Sequence, residues 1–243
     1  MEKVILVGAS LKNAPPEADS LAELKRLTHT AGGTVLKTFQ VRLQAFNAAT
    51  LIGRGKLEEM ALEVQALSAD TVIFDDEISP AQQNNLEEIL PAKVIDRTRL
   101  ILDIFAQRAH TQEGKLQVEL AQLKYLLPRL GGKGTALMQQ KGGIGLRGPG
   151  ETKLEYDKRR LRLRISKLEK EIDTVKAGRE LRRQRRSQIP LPQIALVGYT
   201  NAGKSTILNA MLSQYGNEDI ADISHKKVLQ EDMLFATLDT TVR

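Results

Sequence analysis

Cysteine and tryptophan are absent from this sequence, and aromatic residues make up only 4% of its 243 positions. Without cysteine there is neither a disulfide framework nor a thiolate metal site, which is typical of proteins that stay in the cytoplasm. No apolar run approaches the length of a membrane-spanning helix, and the N-terminal apolar run is too short for a signal peptide. We therefore expect a cytoplasmic, monomeric protein without a membrane span.

Charge is distributed unevenly along the chain, although its net value of +6 is modest. Residues 153–186 contain 14 Lys/Arg and six Asp/Glu, a local balance of +8, so the remainder of the chain carries a net charge of −2. A single basic segment of this kind favours a polyanionic partner for that segment alone.

Strand-like and helix-like runs alternate through residues 1–110. Stretches with apolar residues at helical spacing separate four short apolar runs, and this alternation predicts a small, mostly parallel α/β subdomain. The predicted strands are Val4–Val7, Thr34–Val41, Thr71–Phe74 and Val94–Ile95.

Local signals in the same region carry more specific predictions. Ser20 and Ser79 each precede a helix-like run and are predicted to cap it, with Pro80 at the first helical position of the second helix. Residues 53–56 contain two glycines and two cations but lack the spacing of a phosphate loop, so we interpret them as a helix-entry turn. The acidic triplet at 75–77 follows a strand, and we interpret it as a solvated loop rather than a metal site.

In residues 111–187 the apolar residues follow a different spacing from that of the first 110. Leucines between positions 116 and 130 step by four and three residues, the spacing of a coiled-coil seam, and similar stepping resumes from Leu154 to Val175. Pro128 is expected to bend or end the first helix. Two seams joined by a loop predict a long antiparallel helical hairpin.

The loop between the two arms, residues 131–150, contains eight of the 18 glycines, and its only charges before Pro149 are basic. An inert flexible loop is one interpretation, but a simple connection needs only a few residues. Glycine-rich backbone with sparse cations approaches RNA phosphates closely, so we predict nucleic-acid contact. The candidate contact residues of the loop and the second arm are Lys133, Lys141, Arg147, Lys153, Arg159, Arg160, Arg162 and Arg164.

The most specific motif lies near the C-terminal end of the sequence. Residues 198–205 fit G-x-x-x-x-G-K-[ST], the Walker A phosphate loop, between an apolar strand-like run at 193–197 and a helix-like run at 206–212. The glycines let the backbone wrap around a phosphate, Lys204 would reach the β- and γ-phosphates, and the Ser205 hydroxyl would ligate Mg²⁺. An ordinary strand–helix turn is the less favoured alternative. The predicted nucleotide-binding residues are Gly198, Tyr199, Thr200, Asn201, Ala202, Gly203, Lys204 and Ser205.

The phosphate loop and residues 235–243 together resemble the translation-factor class of GTPases, in particular the HflX family. Four further strings resemble signatures of the N-terminal part of that family, and the resemblance covers the whole chain. These strings are Gln83–Glu87, Asp96–Ala106, Gln117–Ala121 and Gly142–Glu155.

The resemblance implies a cytoplasmic GTPase that binds GTP or GDP with Mg²⁺ and associates with the large ribosomal subunit and its rRNA. It further implies that the full-length protein hydrolyses GTP and splits or rescues stalled ribosomes, and that the helical hairpin reaches ribosomal RNA. Ser205 and Thr237 are the implied Mg²⁺ ligands. The first switch segment is implied to contain Phe235, Ala236, Thr237, Leu238 and Asp239.

The expected architecture is an α/β subdomain at 1–110, the hairpin at 111–187 and the beginning of a P-loop GTPase α/β domain at 188–243. The sequence ends before the D-x-x-G and N-K-x-D motifs expected after the switch, so we expect a truncated nucleotide domain and infer guanine specificity by resemblance. Two alternatives stay open. One is a ribosome- or RNA-binding module that works independently of nucleotide, and the other is an ATP-dependent RNA remodelling enzyme.

Overall fold

The computed structural model of the chain describes residues 1–12, 18–131, 149–188, 195–198 and 202–215. Its N-terminal part is built on four strands, which hydrogen-bond in the order β2-β1-β3-β4. All neighbouring pairs are parallel, which confirms the predicted α/β fold class. The strands are β1 (Glu2–Leu11), β2 (Gly33–Leu43), β3 (Thr71–Phe74) and β4 (Lys93–Asp96).

Two helices cover each face of this sheet. Ile5 and Val7 of β1 point into one core, whereas Val4 and Leu6 point into the other, because successive side chains of a strand face opposite ways. All four are at most 2% exposed, which explains the continuous apolar run in the sequence. The helices are α1 (Ala18–Thr30) with α4 (Arg97–Arg108), and α2 (Arg54–Leu67) with α3 (Pro80–Ile89).

The two edges of the sheet differ in length. β4 has four residues and β2 has 11. The register between β1 and β2 shifts at Val4 and Ile5, whose partners are Val35 and Lys37, so Leu36 is an extra residue in a β-bulge. Leu36 is 39% exposed.

Two of the three predicted helix N-termini in this region agree with the structure, and one does not. Ser79 caps α3 with a capping box, in which Ser79 Oγ accepts from Gln82 N and Gln82 Oε1 accepts from Ser79 N. Residues 53–56 form the entry to α2, as predicted. The prediction that Ser20 caps α1 is wrong, because α1 already begins at Ala18. The Ser20 hydroxyl instead donates to Asp75 Oδ2 at 2.5 Å.

A second set of helices follows the α/β unit. α5 (Gln112–Leu126) passes directly into a 3-10 turn (Leu127–Gly131), so Pro128 ends the regular helix as predicted. α6 (Pro149–Ser187) has 39 residues and is about 58 Å long. None of the helices in the described ranges is both long enough and apolar enough to cross a bilayer.

α5 and α6 pack against each other. Val118 of α5 and Leu168 and Ile172 of α6 are buried. Ion pairs across the contact join Arg164 to Glu119 at 2.7 Å, Lys124 to Glu169 at 2.7 Å and Arg179 to Glu113 at 3.1 Å. These contacts fit two packed arms, and the antiparallel coiled-coil hairpin spanning 111–187 stays a prediction.

The phosphate-loop segment ends the described part of the chain. α7 (Lys204–Tyr215) is the predicted helix. Residues 195–198 form no strand, contrary to the prediction for the run at 193–197 as far as the structure describes it. Leu196 is 40% exposed and Val197 is 91% exposed. An apolar run becomes a strand only where a neighbouring strand supplies hydrogen-bond partners. Among the described residues, no strand pairs with residues 195–198.

Candidate functional site

The described part of the phosphate loop places the motif lysine against the loop backbone. Lys204 is the first residue of α7, and its Nζ donates to the carbonyl oxygen of Gly198 at 2.8 Å. Gly203 has a φ of +82°, a conformation that L-residues rarely adopt, so glycine is required there. The loop therefore turns sharply into the helix with its cation folded back over the turn.

The start of α7 is suited to an anion. The first hydrogen bond described for the helix runs from Ile207 N to Gly203 O, at 2.9 Å, and the N–H groups of the first turn lack partners within the helix. These groups and the helix dipole direct positive partial charge to the side where Lys204 lies. Backbone donors and an ammonium group close together have the chemistry needed to hold a phosphate.

The side chains of the described region also fit a magnesium ion held mainly by phosphate. Ser205 follows Lys204 in the first turn of α7 and is half-buried, and its hydroxyl is the protein oxygen that would hold such an ion. Mg²⁺ prefers oxygen ligands and keeps several of its waters. No group of three His, Asp or Glu side chains among the described residues could hold a metal ion independently of a nucleotide.

Several predicted site residues lie outside the described ranges, and their roles stay predictions. This applies to part of the phosphate loop, to the implied switch and to the basic residues of the glycine-rich loop. They are Tyr199, Thr200, Asn201, Phe235, Ala236, Thr237, Leu238, Asp239, Lys133, Lys141 and Arg147.

The predicted RNA-contacting residues of the second arm all lie in α6, but they do not share one environment. Arg159, Arg160 and Arg162 are exposed and have no ion-pair partner among the described residues. Arg164 instead binds Glu119 of α5 in a two-pronged pair, with nitrogen–oxygen distances of 2.7 and 2.8 Å. Hydrogen bonding to Glu119 raises the pKa of Arg164. Lys153 lies in α6 near its N-terminal end.

A buried carboxylate that the sequence did not single out joins the two parts of the chain. Asp96, at the end of β4, has no exposed surface. It caps α4 by accepting from Arg99 N at 2.8 Å, and it accepts from Tyr125 Oη of α5 at 2.9 Å. Ile78 N and Arg129 Nη2 both lie 3.4 Å from its second oxygen. We call these residues the Asp96 cluster.

Arg129 closes the Asp96 cluster from the 3-10 turn. Its guanidinium donates to Ile78 O at 2.7 Å, to Tyr125 O at 3.1 Å and to Gln83 Oε1 at 3.1 Å. It also stacks on the ring of Tyr125, 3.5 Å from its centroid. Since Arg129 lies two residues before Gly131, the cluster anchors the start of the glycine-rich loop to the carboxyl end of β4.

The electrostatics of the cluster favour the neutral phenol of Tyr125. Burial raises the pKa of Tyr125 well above its ordinary value, and the charge of Asp96 and its hydrogen bond raise it further. Tyr125 therefore stays protonated in neutral solution and donates a hydrogen bond to Asp96.

The interpretation of residues 75–77 as a solvated loop is wrong for Asp75. Its side chain is only 9% exposed and lies 2.8 Å from Arg97 Nε. Arg97 also donates to the Ser20 carbonyl at 2.7 Å, which ties α4 to α1. The carboxyl end of β3 thus carries a structural ion pair, because a carboxylate at a crowded strand end is buried only with a partner.

Three protein-family models match consecutive parts of the chain. Residues 18–106 match a model described as GTP-binding GTPase N-terminal, and residues 108–186 match one described as GTP-binding GTPase Middle Region. Residues 193–243 match a model described as 50S ribosome-binding GTPase.

Curated relatives resemble the chain along its whole length. GTPase HflX of Caldanaerobacter subterraneus subsp. tengcongensis is 49% identical over 242 residues, which covers 100% of this chain and 53% of the relative. GTPase HflX of Escherichia coli K12 is 48% identical over 227 residues, which covers 93% of this chain and 50% of the relative. The chain spans about half the length of these curated relatives.

A solved structure agrees with these matches. The crystal structure of a GTP-binding protein from the hyperthermophilic archaeon Sulfolobus solfataricus in complex with GDP superimposes with a TM-score of 0.51 at 25% identity. The match covers 88% of this chain and 54% of that protein. With the parallel α/β unit, the phosphate-loop geometry and the sequence identities, it follows that the chain belongs to the HflX GTPase family.

Proposed function

We propose that this chain is the nucleotide- and ribosome-binding part of a cytoplasmic GTPase that acts on the large ribosomal subunit. The observation that carries the proposal is the contact of Lys204 Nζ with Gly198 O at the N-terminus of α7, beside the left-handed Gly203. The match of residues 193–243 to the 50S ribosome-binding GTPases supports the choice of nucleotide and partner.

Binding of GTP begins with an exchange of partners at Lys204. The ammonium group leaves the Gly198 carbonyl and binds β- and γ-phosphate oxygens, while N–H groups of the loop and of α7 donate to the same phosphates. The charge of Lys204 then offsets part of the phosphate charge. Ser205 would hold Mg²⁺, which neutralises further charge on the phosphates, together with Thr237.

The RNA side of the proposal rests on the charge of α6. Arg159, Arg160 and Arg162 are exposed on a helix about 58 Å long, so they reach a polyanion without first breaking ion pairs. In the full-length protein we propose that GTP orders the segment around Thr237, that this changes how the helices bind ribosomal RNA, and that stalled ribosomes are split or rescued as a result.

Replacing Lys204 by alanine tests the nucleotide site. We expect Lys204→Ala to weaken GTP binding roughly ten- to a hundredfold, because a charge-assisted hydrogen bond to phosphate is lost. Equilibrium dialysis with labelled GTP, with ATP as competitor, measures the effect. The matched control is Lys25→Ala on the exposed surface of α1, which should bind as the wild type does. Equal displacement of GTP by ATP would favour the RNA remodelling enzyme.

Co-sedimentation of the full-length protein with purified large ribosomal subunits tests the partner. We expect GTP to increase the bound fraction. Binding that is the same with and without GTP would favour the alternative, a module that holds ribosomal RNA independently of nucleotide. Absence of any sedimentation with the subunits would contradict both.

A further inference from the structure

The outer surface of α6 carries a regular row of residues directly opposite its buried seam. Tyr156, Arg160, Leu163, Lys167 and Lys170 follow one another at intervals of four, three, four and three residues, which places them along one side of the helix. We call this row the outer stripe. All five residues are exposed. Leu168 and Ile172, which pack toward α5, lie on the opposite side.

The outer stripe is positively charged. It contains three cations and no acidic residue, and neither Arg160 nor Lys170 has an ion-pair partner among the described residues. Lys167 lies 3.9 Å from Glu171, at the outer limit of an ion pair. Three cations within about 15 Å of helix, with little internal neutralisation, create a local field that attracts a polyanion.

Two large apolar side chains share the stripe with these cations, Tyr156 at its end and Leu163 between Arg160 and Lys167. Tyr156 and Leu163 are each 66% exposed, and Arg160 lies between them. Neither residue belongs to the buried core, so the core packing of the fold does not account for them. An exposed aromatic ring beside a row of cations is characteristic of proteins that bind single-stranded nucleic acid, where a base stacks on the ring and the cations follow the phosphates.

We propose that the outer stripe binds a single-stranded RNA segment, with an unpaired base stacked on Tyr156 and phosphates held by Arg160, Lys167 and Lys170. This inference rests on the proposed function and adds the form of RNA that the helix recognises. Of the arginines predicted from sequence to contact RNA, Arg160 belongs to this surface, whereas Arg164 belongs to the contact with α5.

The composition of the outer stripe favours single-stranded RNA over other polyanionic partners. A duplex offers phosphates, but its bases are stacked inside, so Tyr156 and Leu163 would have nothing to contact. A helix that lies on a membrane buries a wide apolar face, whereas two of the five residues here are apolar and a cation separates them.

The test compares two RNA probes with the 243-residue chain. Fluorescence anisotropy gives the affinity for a 12-nucleotide oligouridylate and for a 12-base-pair duplex at several salt concentrations. We expect Tyr156→Ala to weaken binding of the single strand roughly tenfold with an unchanged salt dependence, because a stacking contact and no phosphate contact is lost. Duplex binding should stay within about twofold, and Tyr156→Phe, which keeps the ring, should restore wild-type affinity for the single strand.

Removing a cation from the outer stripe should affect binding differently from removing the aromatic ring. Lys170→Ala should weaken binding of both probes and lower the slope of log affinity against log salt for the single strand by about 0.7. An unchanged affinity of Tyr156→Ala for oligouridylate, equal losses on both probes, or binding to anionic phospholipid vesicles in place of RNA would overturn the inference.

Binding to purified large ribosomal subunits distinguishes a failure of this inference from a failure of the proposed function on which it rests. If the chain binds subunits and Tyr156→Ala binds them equally well, the outer stripe is not the recognition surface although the proposed function stands. If the full-length protein fails to bind subunits, the proposed function fails, and the oligouridylate measurement alone decides whether the stripe binds single-stranded RNA.

Discussion

The Asp96 cluster and the outer stripe use the same residue types in opposite ways. In the cluster, Arg129 is 11% exposed and donates to groups on several elements, and Tyr125 is half-buried and donates to Asp96. On the stripe, Arg160 and Tyr156 are exposed. Removing a charge from water costs free energy that only specific bonds offset, so a buried arginine serves folding and an exposed one is available for a ligand. The role of an arginine or a tyrosine in this protein is therefore determined by its surroundings and not by its residue type.

The largest difference should appear between the two arginines. Arg129→Ala leaves the buried Asp96 carboxylate without its guanidinium, which should lower the free energy of unfolding by about 3–5 kcal/mol. Arg160→Ala should change it by less than about 0.5 kcal/mol. Urea unfolding followed by circular dichroism measures both, since the chain has no tryptophan for fluorescence. Similar losses in the two variants would show that Arg129 is not an anchor.

A smaller difference is expected between two leucines on opposite sides of α6. Leu168 is fully buried, so Leu168→Ala should cost about 2–5 kcal/mol through lost apolar contact and the cavity it leaves. Leu163→Ala should change the free energy of unfolding by less than about 0.5 kcal/mol. The same urea titrations apply. A Leu168→Ala variant as stable as the wild type would mean that α5 and α6 do not pack in solution.

The smallest effect concerns Tyr125 of the Asp96 cluster and should appear only at high pH. The folded-state pKa of Tyr125 is raised above the unfolded value of about 10, so its contribution is complete below pH 10 and is lost as the pH rises further. Above pH 10 the unfolded chain releases this proton before the folded protein does, which lowers the free energy of unfolding by up to about 1.4 kcal/mol per pH unit. Tyr125→Phe should remove this part of the slope in urea titrations at a series of pH values. Equal slopes for Tyr125→Phe and the wild type would contradict the prediction.

Much of the fold was predictable because its signals are local. Buried parallel strands appear as short apolar runs, and the Ser79 box with Pro80 marks a helix start within four residues. The phosphate loop is equally local, since its geometry depends on the positions of Gly203 and Lys204 in one turn.

The long-range features could not be predicted in the same way. Asp96 lies 29 residues from Tyr125 and 33 from Arg129, and no spacing rule connects them. Ser20 has the residue type of a helix cap, yet a partner 55 residues away engages its hydroxyl. Arg164 looks like its neighbours in a basic run until Glu119 of α5 is placed beside it. In each case tertiary contact decides between roles that the sequence leaves equivalent.

The bulge at Leu36 has a consequence for how this protein behaves among its own copies. Parallel sheets expose unpaired backbone at both outer strands, where another chain could add a strand and begin aggregation. At one side β4 is only four residues long, which leaves little template. At the other side the 11-residue β2 is interrupted by the extra residue and followed by Lys37, so it offers neither a flat nor an uncharged surface. Both edges therefore offer a poor template for strand addition by another copy.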